Sequence, residues 1–270
     1  MTFEETIKEN LEGHFSAKEI AYFIRIFSED MPNLIKQEKD NWLVACQRLI
    51  NQEPIQYITG VAPFYGYFFN ADKNVLIPRP ETEELVYIIN EYIRKRDLGY
   101  SDILEIGSGS GCIPITLNLL NPNTNIVSID ISKDALRVSR SNNEKLGSNV
   151  EFRTVDILDK GKWSELPGKF DVIVSNPPYI PLREKGLMSA NVLDNEPHLA
   201  LFVSDEDPLI FYNQIFDYAK LHLKEDGAIF LECNENNAQE VKSIYTEAYE
   251  TEIITDMQGK DRMLVAKKRS

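Results

Sequence analysis

The first fifty residues carry apolar side chains at intervals of three and four, the spacing of an amphipathic helix. One stripe follows the order i, i+3, i+4, i+7 and consists of Ile20, Phe23, Ile24 and Phe27. Ser16, with Glu19 three residues later, has the pattern of a capping box at its start. Met31-Pro32-Asn33 interrupts the pattern. A further stripe predicts another helix and consists of Trp42, Ala45, Cys46 and Leu49.

Residues 51 to 80 are richer in proline, glycine and aromatic side chains. Two apolar runs, 64–69 and 75–77, flank a polar stretch at 70–74, and this arrangement predicts a β-hairpin. Pro80 then opens a helix, because proline tolerates the first turn and the carboxylates after it favour the positive helix end.

From residue 101 onward, short apolar runs alternate with longer helical stretches. The predicted strands are 103–106, 126–129, 150–155, 171–175 and 228–232, followed by an antiparallel hairpin at 252–256 and 263–266. The predicted helices are 112–120, 133–146, 207–222 and 237–249. Such alternation is typical of a parallel sheet covered on both faces. The fold class predicted is α/β, with a seven-stranded doubly wound domain.

We divide the chain accordingly into three parts. Residues 1–55 form a small N-terminal helical domain, residues 56–80 a β-hairpin linker, and residues 81–270 the doubly wound domain.

Composition narrows the classes of function. With 43% hydrophobic and 27% charged residues, the chain is typical of a soluble globular protein. Its 29 Lys+Arg against 43 Asp+Glu give a net charge of −14, which disfavours stable binding to nucleic acid. The chain shows no signal-like start and no apolar run of the ~18 residues that a membrane span needs. We expect a cytoplasmic monomer without membrane association.

The cysteine and histidine residues have neither disulfide nor metal-site spacing. The cysteines are odd in number and far apart: Cys46, Cys112 and Cys233. The histidines form no ligand pattern with them: His14, His198 and His222. This usage is typical of a reducing compartment, and we expect no metal site.

A glycine-rich turn follows the first strand of the doubly wound domain. It consists of Gly107, Ser108, Gly109, Ser110 and Gly111. Ligands of open α/β sheets bind at such strand ends. The dinucleotide pattern G-x-G-x-x-G fails, because Cys112 and Pro114 stand where the third glycine belongs. The P-loop and the G-x-S-x-G nucleophile elbow are also absent.

Asp130 ends the second predicted strand, about 20 residues after the glycine turn, where a carboxylate can hold ribose hydroxyls. A strand-end aspartate can instead cap a helix, a role that Ser132 could also fill. Together with the glycine turn, Asp130 favours a nucleoside ligand without a diphosphate. S-adenosylmethionine fits that description better than NAD.

The fourth predicted strand runs into Asn176-Pro177-Pro178-Tyr179. Two prolines fix the backbone there. The Asn176 side-chain carbonyl and the Pro177 carbonyl can then accept hydrogen bonds from one planar –NH2 group, and Tyr179 could pack on its face. Such a group belongs to an amide or to the exocyclic amine of a base.

These residues give the chain a family resemblance. It resembles the release factor glutamine methyltransferases, within the class I S-adenosylmethionine-dependent methyltransferases. The motifs that carry the resemblance are Gln56-Tyr57-Ile58-Thr59-Gly60, Val75-Leu76-Ile77-Pro78-Arg79-Pro80-Glu81-Thr82-Glu83, the glycine turn, Asn176-Pro177-Pro178-Tyr179-Ile180 and Glu196-Pro197-His198-Leu199-Ala200-Leu201. The resemblance implies a helical bundle, a hairpin linker and a catalytic sheet of strand order 3-2-1-4-5-7-6.

The resemblance also implies site residues. S-adenosylmethionine, with S-adenosylhomocysteine as its product, would contact the glycine turn together with Asp130, Ile131, Asp156, Ile157 and Asn176. Ile157 stands where the family often has an aromatic residue, and Trp163 follows several positions later, so either could form the adenine wall. The substrate amide would contact Asn176, Pro177, Pro178, Tyr179, Arg79 and Glu196, the first four of which would be catalytic.

The implied reaction is methyl transfer to the side-chain nitrogen (N5) of a glutamine. The implied substrate is the Gly-Gly-Gln motif of class I peptide chain release factors, so the reaction would modulate translation termination. Three alternatives stay open: glutamine methylation of a ribosomal protein, adenine-N6 methylation of nucleic acid, and a binding module with this fold but no turnover. The charge of −14 disfavours the second.

Overall fold

The computed structural model describes residues 2–30, 39–98, 100–166 and 168–269. Before residue 60, the helices within those ranges are α1 (Phe3–Leu11), α2 (Ala17–Asp30), α3 (Lys39–Ile50) and α4 (Ile55–Thr59). The capping box predicted at Ser16 is confirmed, since its backbone N–H donates to Glu19 Oε2 at 2.8 Å and its Oγ accepts from Glu19 N at 3.3 Å. The break predicted at Met31-Pro32-Asn33 lies outside the described residues.

These helices bury an apolar cluster of their own. Its fully buried members include Ile7, Leu11 and Phe27, and Phe3 packs edge-on against Trp42 with ring centroids 5.2 Å apart. Among the described residues, the members of this cluster all lie between residues 3 and 58. The predicted helical stripes therefore face one another.

The predicted hairpin exists, but the prediction placed its strands wrongly. Its arms are β1 (Val61–Phe64) and β2 (Tyr67–Asn70), paired antiparallel. The run 64–69 is broken by a turn in which Tyr65 has φ 51° and Gly66 has φ 79°. Residues 75–77 form no strand. They follow the hairpin as an irregular segment with buried Val75 and Ile77.

The central sheet has seven strands, as predicted. In chain order they are β3 (Asp102–Ile106), β4 (Asn125–Asp130), β5 (Val150–Thr154), β6 (Phe170–Ser175), β9 (Leu223–Glu232), β10 (Tyr249–Thr255) and β11 (Asp261–Lys268). Their spatial order is β10-β11-β9-β6-β3-β4-β5. Numbered one to seven along the chain, this is the order 3-2-1-4-5-7-6 that the resemblance implied. Strands β3 to β6 and β9 are parallel, and β11 pairs antiparallel with β9 and β10.

Helices cover both faces of this sheet. They are α5 (Pro80–Lys95), α6 (Cys112–Leu120), α7 (Lys133–Leu146), α10 (Ile210–His222) and α11 (Ala238–Thr246). Pro80 occupies the first turn of α5, as predicted. Two apolar clusters result, one on each side of the sheet. No described helix is both long enough and apolar enough to cross a bilayer.

A segment after β6, the excursion (residues 180–203), leaves the sheet and returns. It contains β7 (Ile180–Pro181), a 3-10 helix (Leu182–Leu187), α8 (Ala190–Asn195), α9 (His198–Leu201) and β8 (Phe202–Val203). Strands β7 and β8 pair in parallel and close the excursion. The excursion was not predicted, because its elements are too short to show a periodicity.

Candidate active site

A cavity opens beyond the carboxyl ends of β3, β4 and β6, where the chain order of the parallel strands reverses. It encloses about 1110 Å³ of non-atom space, part of it open to solvent. The predicted cofactor residues that line it are Gly107, Ser108, Gly109, Ser110, Asp130, Ile131, Asp156, Ile157 and Asn176. The predicted substrate residues that line it are Asn176, Pro177, Pro178 and Arg79. Gly111, Tyr179 and Glu196 are not part of the lining.

The glycines of the turn after β3 have different reasons to be glycine. All three have positive φ, 92° at Gly107, 51° at Gly109 and 81° at Gly111, a region that other residues rarely adopt. A Cβ at Gly111 would lie 2.8 Å from Cδ1 of Ile115 and 3.0 Å from Cβ of Ser139. A Cβ at Gly109 would meet no heavy atom within 4 Å. Packing of α6 against α7 therefore requires Gly111, whereas Gly109 leaves room beside the cavity.

Asp130 binds the turn rather than capping α7. Its Oδ2 accepts a hydrogen bond from Gly109 N at 3.0 Å, and its Oδ1 accepts one from Ser132 N at 2.8 Å. Ser132 is the N-cap of α7, through its Oγ and Ala135 N. Burial raises the pKa of the Asp130 carboxyl. The side chain is thus held at the cavity wall, the position predicted for a ribose contact.

Glu105 presents a buried carboxylate to the same cavity. The side chain is 1% exposed, and Ser128 Oγ donates to its Oε2. Its Oε1 is buried without a hydrogen-bond partner among the described residues. Burial raises the pKa of Glu105 to about 8. A lone buried carboxylate oxygen is costly unless a donor or cation meets it, so this oxygen fits the ammonium group of an amino acid.

Ile157 forms part of the cavity wall, whereas Trp163 is not among the lining residues. Ile157 is 4% exposed and lines the cavity. Trp163 lies behind it, donating from Nε1 to the Ile157 carbonyl at 2.9 Å and packing edge-on against Tyr218. Asp156 Oδ1 accepts from Leu158 N at 2.9 Å. The indole therefore supports the wall from the protein interior.

Asn176 begins a chain of hydrogen bonds that passes through Thr82, which also lines the cavity, to the buried Glu232. Its Nδ2 donates to Thr82 Oγ1 at 3.2 Å, and Thr82 Oγ1 donates to Glu232 Oε2 at 2.7 Å. Tyr179 donates its hydroxyl proton to Glu232 Oε1 at 3.2 Å. Among the described residues, none donates to Asn176 Oδ1 or to the Pro177 carbonyl. These two acceptors remain free at the cavity.

Two predicted substrate residues bind each other. Arg79 Nη2 lies 2.6 Å from Glu196 Oε1, and Glu196 Oε2 accepts from Ile77 N at 3.2 Å. The Glu196 side chain is 1% exposed, so both of its oxygens are used inside the protein. The ion pair fastens the excursion after β6 to the segment that precedes α5.

Several lining residues escaped sequence reasoning. They are Val75, Leu76, Pro197, Leu199, Ala200 and Phe211. Their common feature is that they come from the linker, from the excursion and from the start of α10 rather than from strand ends. All of these except Phe211 lie within two motifs that carried the resemblance, which was the available signal for them.

The chain is similar in sequence to known methyltransferases. A model of the family described as "Methyltransferase domain" matches residues 100–265. The release factor glutamine methyltransferase of Bacteroides thetaiotaomicron is 40% identical over 276 residues, covering 96% of this chain and 97% of that protein. The protein of the same name from Flavobacterium psychrophilum is 39% identical over 271 residues, covering 94% of each.

Two solved structures share the fold. A methyltransferase from Pyrococcus furiosus aligns with a TM-score of 0.54 at 20% identity, covering 83% of this chain and 98% of that one. A ribosomal protein L11 methylase from Lactobacillus delbrueckii subsp. bulgaricus aligns with a TM-score of 0.52 at 16% identity, covering 74% of this chain and 84% of that one. At these identities the likeness shows the fold alone. The near-complete match to the curated relatives shows more: the chain belongs to the release factor glutamine methyltransferase family.

Proposed function

We propose that this protein methylates the side-chain amide nitrogen (N5) of the glutamine in the Gly-Gly-Gln motif of class I peptide chain release factors, with S-adenosylmethionine as the methyl donor. The observation that carries the proposal is the pair of free acceptors, Asn176 Oδ1 and the Pro177 carbonyl, at the cavity beside the glycine turn. The full-length likeness to curated relatives of that name supports the substrate.

The residues present fit S-adenosylmethionine. Glu105 offers a buried, unpartnered oxygen for the amino acid ammonium, and the turn around Gly109 leaves space for a ligand backbone. Asp130 would hold the ribose hydroxyls, with Asp156 and Ile157 at the adenine. When bound, S-adenosylmethionine supplies an electrophilic methyl group on a sulfonium sulfur.

The protein's part in the reaction is to orient and stabilise the glutamine amide. An amide nitrogen is a poor nucleophile, because its lone pair is delocalised into the carbonyl. Asn176 Oδ1 and the Pro177 carbonyl accept its two N–H groups and stabilise the positive charge that develops on nitrogen. Positioning alone can lower a barrier by up to about 7–11 kcal/mol. The displaced amide proton then passes to water, so no catalytic base is needed.

Arg79 and Glu196 act on the substrate indirectly in this proposal. Because they pair with each other, they shape the rim of the cavity by holding the excursion in place. Tyr179 likewise acts through Glu232.

The protein substrate would meet the rim of the cavity and the helical segment. Leu199 lines the cavity and is 58% exposed, while Leu182 and Leu187 on the excursion are also exposed. We assign substrate docking to residues 1–55 together with this apolar rim. Asn195 Nδ2 donates to the Gln52 carbonyl at 3.1 Å, which links the two surfaces. One chain and one release factor form the reacting unit, without nucleic acid.

The test is a methylation assay on three substrates. Purified protein and S-adenosylmethionine are incubated with a bacterial class I release factor, with the same factor carrying Gln→Ala in its Gly-Gly-Gln motif, and with an adenine-containing DNA duplex. Mass spectrometry locates any added methyl group. We expect one methyl on the motif glutamine and none on the other two substrates. A methyl group on adenine, or an unmodified release factor, would contradict the proposal.

A further inference from the structure

The hydrogen-bond chain behind Asn176 joins residues that are far apart in sequence. Thr82 belongs to the first turn of α5 and is 3% exposed, and Glu232 ends β9 and is 2% exposed. Tyr212 fixes the end of β9, since its hydroxyl donates to the Glu232 backbone carbonyl at 3.0 Å. The chain Asn176–Thr82–Glu232 is thus built from three separate elements around the cavity.

The hydroxyl group of Thr82, the middle residue, sets the direction in which these hydrogen bonds are donated. A threonine hydroxyl has one proton to donate. A carboxylate only accepts, so the Thr82 proton goes to Glu232, and Thr82 can only accept from Asn176. The group that faces Thr82 must therefore be the –NH2 of the Asn176 amide. Its carbonyl oxygen is left on the other side, toward the cavity.

We propose that Thr82 and Glu232 are positioning residues that fix the orientation of the Asn176 amide, so that an acceptor and not a donor faces the substrate. This inference rests on the proposed function for its consequence in catalysis. With the amide turned over, –NH2 would face the –NH2 of the glutamine, and the two donors would repel each other. Selection of the substrate amide would then depend on a carboxylate that never touches it.

An isosteric substitution that replaces the carboxylate by a neutral amide tests the direction. In Glu232→Gln, the amide keeps the hydrogen bond from Tyr179 at Oε1 only with its new –NH2 toward Thr82, to which that –NH2 then donates. The Thr82 proton then needs another acceptor, which only a turned Asn176 amide provides. We expect kcat to fall by about 100-fold or more, the size of effect seen when one preorganised partner of a developing charge is removed.

A second substitution should reverse the loss. In the double variant Asn176→Asp with Glu232→Gln, the hydrogen bonds run the other way, because the amide introduced at position 232 donates to Thr82 and Thr82 donates to the carboxylate introduced at position 176. The remaining carboxylate oxygen faces the cavity as an acceptor. Asn176→Asp alone places two carboxylates around one hydroxyl proton and should be inactive. We expect the double variant to exceed either single variant in kcat by about 10-fold or more, a coupling that independent structural damage does not produce.

Thr82 supplies a matched pair of variants. Thr82→Ser keeps the hydroxyl and should retain most of the turnover, whereas Thr82→Val keeps the shape and should lose it. In all variants the affinity for S-adenosylhomocysteine, measured by calorimetry, should stay near that of the unaltered protein, because Thr82 and Glu232 hold the substrate acceptor and not the cofactor turn.

Hydrogen exchange of the Asn176 side chain, which does not depend on methylation, tests this inference separately from the proposed function. With ¹⁵N-labelled asparagine, the side-chain –NH2 signal of Asn176 is identified by its loss in Asn176→Asp. We expect its hydrogen-bonded proton to exchange slowly with water in the unaltered protein and faster in Glu232→Gln, where it faces the cavity. Equal exchange in both proteins would overturn the inference even if the release factor is methylated. Slow exchange that Glu232→Gln accelerates would support it even if the release factor is not the substrate.

Discussion

Arg79 and Glu196 are separated by 117 positions in sequence, yet Nη2 of one lies 2.6 Å from Oε1 of the other. The Arg79 side chain is 32% exposed and that of Glu196 only 1%. The pair joins the segment before α5 to the excursion after β6, and both segments line the cavity. An ion pair with a buried acidic member therefore ties together two segments that line the cavity.

Removing the cation of this pair should destabilise the fold. Arg79→Met leaves Glu196 buried without its partner, and we expect the free energy of unfolding to fall by about 3 kcal/mol. Urea unfolding measures the change. Arg25→Met is the matched control, because Arg25 and Glu29 are both more than half exposed and their pair should contribute less than about 1 kcal/mol. Equal losses in the two variants would contradict the structural role of Arg79.

Substitutions at two glycines of the turn should have different effects, one mainly on stability and the other mainly on ligand affinity. Gly111→Ala forces a Cβ against Ile115 and Ser139 at positive φ, and we expect a loss of about 2–4 kcal/mol in the free energy of unfolding. Gly109→Ala meets open space and should cost only about 1–2 kcal/mol. Its methyl group intrudes on the ligand side, so calorimetry should show that affinity for S-adenosylmethionine falls more in Gly109→Ala than in folded Gly111→Ala. The opposite ranking of affinities would refute this division of roles.

Glu105 should make stability depend on pH. Burial raises its pKa from 4.5 to about 8, so in that interval the folded chain holds a proton that the unfolded chain releases. The contribution of Glu105 to the free energy of unfolding is therefore complete below its pKa in the unfolded chain. It is lost as pH rises through its pKa in the folded chain. We expect Glu105→Gln, which cannot ionise, to gain stability relative to the unaltered protein between about pH 5 and about pH 8. Parallel pH profiles from urea unfolding would show that Glu105 does not titrate in this way.

The strands of the sheet could be predicted because their signal is local. Runs such as 103–106 and 171–175 are covered by helices on both faces, so most of their residues are apolar, with Glu105, Asp171 and Ser175 as the exceptions. Helices 112–120 and 133–146 match the observed bounds of α6 and α7. The order of the strands is not local, and it came from the family resemblance.

The hairpin shows where prediction from the local sequence failed. Its aromatic run contains Tyr65 and Gly66, which both adopt positive φ and form the turn. A tyrosine in that conformation carries no turn signature, since glycine or asparagine is usual there. The apolar run therefore looked like one strand when it contains parts of two.

The cavity could be predicted only as far as strand ends and motifs mark it. Asp130 and Asn176 follow strands, so their meeting at one sheet edge was predictable. The bonds from Thr82 to Glu232 and from Arg79 to Glu196 link distant segments. Nothing in the spacing of those residues predicts that they touch. The pairing of Glu196 with Arg79 was therefore not foreseen, and the resemblance alone implied that Glu196 contacts the substrate.

The central claim is that Asn176 holds the glutamine amide and has no essential part in binding the cofactor. The most direct measurement compares Asn176→Ala with the unaltered protein, using single-turnover methylation of a class I release factor and calorimetric binding of S-adenosylhomocysteine. We expect the methylation rate to fall by about 100-fold or more, with the dissociation constant for S-adenosylhomocysteine nearly unchanged. Equal losses of rate and affinity, or a rate that survives the substitution, would contradict the account.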